Sequence, residues 1–123
     1  MKFANKQTEQ LPLENLTVSQ FLTLAIEASN LLGWIFGDIN KIGFVAYTNN
    51  GIFSWNAEVR LKINDRTASI QSASRGDGVV DVRENKKNIQ SFIATFNSLK
   101  KSITVQQEQA VKYTTLRPGF SSN

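Results

Sequence analysis

Phe53-Ser54-Trp55-Asn56-Ala57-Glu58-Val59-Arg60-Leu61-Lys62-Ile63 alternates apolar and polar residues without a break. Successive side chains of an extended strand point to opposite faces. Phe53, Trp55, Ala57, Val59, Leu61 and Ile63 therefore share one face, and Ser54, Asn56, Glu58, Arg60 and Lys62 share the other. A helix would scatter both sets around its axis. The stretch predicts a strand in an antiparallel sheet with one buried side and one wet side.

More strands flank it. Ile42 to Thr48, with Phe44, Val45 and Tyr47, predicts a strand leading into Asn49-Asn50-Gly51. An Asn-Gly pair suits a tight hairpin because both central residues need positive φ. Trp34-Ile35-Phe36 is aromatic and β-branched and predicts a further strand, with Gly37-Asp38-Ile39-Asn40 as the turn after it. Beyond Ile63, Asn64-Asp65-Arg66 turns the chain into a fourth strand, Thr67 to Ser74. Arg75-Gly76-Asp77-Gly78 reads as a loop, and Val79-Val80 as a short extended piece.

Two amphipathic helices enclose this block. Thr17 with Gln20 three residues on fits a capping box. Val18, Phe21, Leu22, Ala25, Ala28, Leu31 and Leu32 then recur at spacings of three and four, and Gly33 follows as a helix-ending residue. The first helix is predicted at about 18–32. Asp81 and Glu84 open a second, about 83–101, whose stripe is Ile89, Phe92, Ile93, Phe96 and Leu99. Lys100 and Lys101 sit in its last turn, where cations favour the helix dipole. Each element needs the others to cover its apolar face. The expected fold is α+β: helix, four-stranded antiparallel sheet, helix, with both helices on one face of the sheet.

The chain of 123 residues, 41% apolar, suffices for one domain and its core. Residues 1–16 are polar, contain Pro12 and predict a flexible arm. Residues 17–101 form the domain. Residues 102–123 predict a linker or tail, with a helical turn or more near 105–115 before Arg117-Pro118-Gly119. No signal-peptide run follows Met1, and the longest apolar stretch, Leu31 to Phe36, falls far short of the about 20 residues that cross a bilayer.

Composition narrows the chemistry. Neither cysteine nor histidine occurs, which removes disulfides, thiolate metal sites and the commonest general base. Ser72 and Ser74 have no histidine to activate them and are expected as small residues beneath the second helix, or as hydrogen-bond partners for its first amides. Asp77, Asp81 and Glu84 lack the oxygen-ligand series of a calcium loop. Gly76-Asp77-Gly78 lacks the spacing and lysine of a phosphate loop. No catalytic residue, metal or cofactor is expected. The aromatic residues Phe53 and Trp55 share the apolar face with Val59, so they are assigned to the core and not to base stacking. No nucleic-acid signal stands out.

The residues Gly33-Trp34, Asn50-Gly51-Ile52-Phe53-Ser54-Trp55-Asn56, Ser72-Ala73-Ser74, Asp81, Asn85-Lys86-Lys87-Asn88-Ile89, Phe92 and Phe96 carry a resemblance. Together they resemble a small Bacteroidetes-type bacterial domain of unknown function. In some proteins it is the cytosolic amino-terminal domain of a rhomboid-like intramembrane protease. The serine-rich strand before an asparagine-bearing helix is similar to a second widespread bacterial domain of unknown function. The likeness spans about 18–101. It departs at Asn56-Ala57, where related chains often have Gly-Glu, and at Val82-Arg83, where they often have a tryptophan. Both changes put a shared binding surface in doubt. The resemblance implies a cytoplasmic accessory domain attached to a membrane protein. It brings no catalytic residue, since a rhomboid's serine and histidine lie in membrane helices.

The leading expectation is thus a non-catalytic interaction domain with a protein partner or an attached membrane domain. Its surface is the open sheet face, or the 75–81 loop beside the second helix, with Asn56, Glu58, Arg60, Arg75, Asp77 and Asn85 as binding residues. The alternative starts from charge. Residues 51–101 hold nine basic and five acidic side chains, which favours an anionic ligand such as lipid head groups or nucleic acid, held by Arg60, Lys62, Arg66, Lys86 and Lys87.

Overall fold

The computed structural model describes residues 6–49, 57–74 and 82–116, with side chains in the last helix from Arg83 to Ile103. Five strands and two helices follow in the order β1 (Lys6–Pro12), α1 (Val18–Leu31), β2 (Ile35–Asn40), β3 (Gly43–Tyr47), β4 (Ala57–Asn64), β5 (Thr67–Ser74) and α2 (Val82–Leu116). All strand pairs are antiparallel, and the spatial order is β1-β5-β4-β3-β2. The α+β class and the helix–sheet–helix core match the expectation; the sheet has one strand more.

Thr17 starts α1 as expected. Its hydroxyl accepts from the Gln20 amide at 3.0 Å, and the Gln20 side chain accepts from the Thr17 amide at 2.9 Å. Gly33 ends it at φ +80°, a conformation that favours glycine, with its amide bonded to the Asn30 carbonyl. Trp34, now turned inward, stacks on Phe92 of α2 with ring centroids 6.1 Å apart.

The described part of the alternating segment behaves as predicted. Ala57, Val59, Leu61 and Ile63 are buried, while Arg60, Lys62 and Asn64 are exposed. The inner row continues on β5 with Ala68, Ile70 and Ser72, and on β3 with Phe44 and Ala46. Above it pack Phe21, Leu24, Ala25 and Ala28 of α1 and Ile89, Phe92 and Phe96 of α2. Rings of Phe21 and Phe96 lie 4.5 Å apart. Phe53 and Trp55, Asp81 as helix cap, the Asn50-Gly51 pair and Val79-Val80 lie outside the described residues.

Three expectations need correction. Residues 6–12 are not a flexible arm: they pair with β5 along their whole length, Lys6 opposite Ala73 and Pro12 opposite Thr67. The strand is held by backbone bonds at the sheet edge, and of its inner-face residues Gln7, Glu9 and Leu11 only the half-buried Leu11 is apolar, so no apolar alternation marks it. Proline is tolerated at such an edge because no ladder donor is needed there. Buried Leu13 then fixes the exit of the strand, its amide bonding the Arg66 carbonyl at 2.9 Å.

Gly37-Asp38-Ile39-Asn40 is strand rather than turn. The register of β2 against β3 shifts between Phe36 and Asp38, a β-bulge centred on Gly37. The turn falls later, at Lys41-Ile42, where the Asn40 side chain accepts from the Ile42 amide at 2.9 Å. Finally, the second helix does not end near 101, and the helix expected near 105–115 is longer than a turn. Residues 102–116 continue α2 without interruption to Leu116. Glutamine, glutamate, alanine and lysine favour a helix without an apolar stripe to announce it. The whole helix, 35 residues, is about 52 Å long.

Candidate functional site

Two regions gather polar side chains in a defined geometry. The first is buried between β5 and the start of α2. Asn85 lies one turn before Ile89 on the stripe that faces the sheet, and is fully buried. Ser72 donates its hydroxyl proton to Asn85 Oδ1 at 2.9 Å. Asn85 Nδ2 donates to Ser74 Oγ at 2.9 Å. Asn88 Nδ2, one residue short of a turn further on, donates to Ser72 Oγ at 3.1 Å. Among the described residues no buried side-chain nitrogen or oxygen lacks a partner. This network brackets the 75–81 segment, with Ser74 before it and α2 after it.

Asn85 was expected on a binding surface, and that expectation is overturned. Its spacing to Ile89, Phe92 and Phe96 places it on the helix face that meets the sheet, where nothing from solvent reaches it. The serines lie beneath the second helix as expected, bonded to side-chain amides. An amide accepts a hydrogen bond but does not take the proton, so this arrangement holds Ser72 without activating it. Buried polar groups bonded in this way clamp one element onto another.

The second region is the sheet face away from the helices. Strand register sorts it into rows. Asp38, Val45, Arg60, Gln71 and Thr8 form one row across all five strands. Ile35, Tyr47, Glu58, Ala73 and Lys6 form the next, and Asn40, Gly43, Lys62, Ser69 and Gln10 a third. Glu58 and Arg60, both expected here, are brought together as an ion pair through Glu58 Oε2 and Arg60 Nε. The Thr8 hydroxyl reaches Gln71 Oε1 at 3.4 Å. Tyr47 lays its ring over the bulge: a Cβ on Gly37 would sit 2.8 Å from Tyr47 Cε2. Asn56, Arg75 and Asp77 lie outside the described residues.

The five cations of the charge-led alternative are divided. Arg60 and Lys62 stand on the open face, Arg66 in the β4–β5 turn, and Lys86 and Lys87 exposed on α2, the other side of the sheet. Sequence reasoning also missed two surface features. One is the β2 edge with its exposed isoleucines. The other is a groove of about 490 Å³ where α2 passes the start of α1, lined by Leu16, Leu24 and Ile103 beside the ion pair of Lys100 with Glu14. Contacts between distant segments create both, and no local pattern encodes them.

Among the described residues no group of three or more acidic side chains is placed to hold a metal ion. No described helix is long and apolar enough to cross a membrane. No family model and no curated protein matches the chain.

Proposed function

We propose that the chain is a non-catalytic interaction domain, presented at the end of a helix and working through the open face of its sheet. The observation that carries this is the run of α2. The last α2 side chain packed on the core is Leu99 among the described residues, yet the helix continues to Leu116. A helix that continues past the core it packs on gains further stability from packing against a second body, which favours a connection to a larger body. The open face supports the same reading. It is broad, largely polar and, among the described residues, free of helices, with Glu58 and Arg60 at its centre. Attachment to a membrane protein, as the sequence resemblance implies, belongs to the same proposal.

A photo-crosslinking residue at position 60, compared with one at exposed Asn97 on α2, tests it in lysate of the source organism, irradiated at each salt concentration. The expected result is a discrete protein adduct from position 60, none from position 97, and no loss between 50 and 500 mM salt, roughly the range over which screened charge contacts collapse. An adduct to lipid or nucleic acid, or one that disappears at high salt, favours the charge-led alternative and contradicts this one.

A further inference from the structure

The sheet ends in two edges of different character. At β1, Glu9 stands on the inner face opposite buried Ile70, and Pro12 closes the strand. An inward charge and a proline are devices that stop a second chain from pairing there. At β2, Ile35, Ile39 and Ile42 are 55%, 47% and 44% exposed. The bulge places Ile35 and Asp38 on the outer face, beside Tyr47 and Val45, and Phe36 and Ile39 on the inner face, beside Ala46 and Phe44. Strand β2 thus offers apolar contacts on both faces around its single charge, Asp38, for which no ion pair is found among the described residues, with Lys41 past the strand end in the turn.

Charge decides what fits this edge. A second copy pairing β2 with β2 must match inner residues to inner and outer to outer. Over the full strand this leaves one register, Ile35 opposite Asn40 and Phe36 opposite Ile39. That register sets the two Asp38 carboxylates side by side, and like charges at neighbouring cross-strand positions repel. A strand with a lysine or arginine opposite Asp38 has the reverse interaction and the same apolar gain. We propose that the β2 edge docks an extended segment of a partner protein by strand addition, with aliphatic side chains against Ile39, Phe36 and Ile35 and a basic side chain beside Asp38.

This proposal rests on the interaction-domain reading and names the chemistry of its partner. The test uses the full chain and the capped peptide Thr-Val-Lys-Thr-Val-Val, followed by backbone amide NMR shifts. The expected result is shifts centred on Ile35–Asn40. Exchanging the peptide lysine for glutamate weakens binding about tenfold, and Asp38→Lys reverses the preference. An unchanged thermal midpoint of the Asp38→Lys chain shows that its fold is kept. Equal affinity for both peptides, shifts centred elsewhere, or no binding overturns the proposal. So does concentration-dependent movement of the same amides without peptide, which assigns the edge to a second copy. The crosslink from position 60 reports on the open face and the peptide on the edge, so either idea can fail alone.

Discussion

Gly33 and Gly43 look alike in the sequence and do different work. Gly33 needs its positive φ of +80° to end α1, and a Cβ there would meet nothing within 4 Å. Gly43 lies where β3 crowds β4, and a Cβ would fall 1.9 Å from the Leu61 carbonyl oxygen. Gly33→Ala should therefore cost about 1 kcal/mol, the strain of a left-handed alanine. Gly43→Ala should cost at least about 2 kcal/mol, because backbone must move. Urea midpoints of the two variants check the ranking, and equal midpoints refute it. The role of Gly33 was legible from its place after an apolar stripe. That of Gly43 was not, since its obstacle comes from a strand eighteen residues away. Asn85, expected on a binding surface, is buried between α2 and β5. Asn85→Ala would leave Ser72 and Ser74 without their bonds to it, at a cost of about 2–3 kcal/mol. Adding Ser72→Ala should cost less than a second independent loss, which a double-mutant cycle measures.

Among the elements, those that hide an apolar face were legible and those that do not were not. α1 announced both ends and its stripe, and β4 its alternation. β1 is held by backbone pairing with β5, and its sequence, Lys6 to Pro12, shows only polar residues around Leu11. The bulge in β2 disguised a strand as a turn, because glycine, aspartate and asparagine suit both. In sequence, the far half of α2 offers helix-favouring glutamine, glutamate, alanine and lysine in place of a strong apolar stripe. This difference within one helix is testable. Thr95→Pro, inside the packed half, should destabilise the chain by about 3 kcal/mol or more. Gln107→Pro should lower the helical circular dichroism while leaving the urea midpoint unchanged. A large midpoint shift from Gln107→Pro would mean that the far half is packed against the domain.

At the scale of the whole molecule, two helices sealing one side of a sheet leave the other side and the edges for partners. The candidate site was legible to this extent: the place of Glu58 and Arg60 on the outer face follows from the alternation, while their ion pair was not foreseen. The β2 edge required the strand order, which no single segment contains. The absence of cysteine from the chain makes the sealed and open sides easy to tell apart. Val59→Cys and Arg60→Cys put single thiols on adjacent residues, one at 0% exposure and one on the open face. Thiol labelling under native conditions should modify residue 60 within the time of a free cysteine and leave residue 59 protected until the chain unfolds. Equal labelling rates at the two positions would contradict the two-sided sheet.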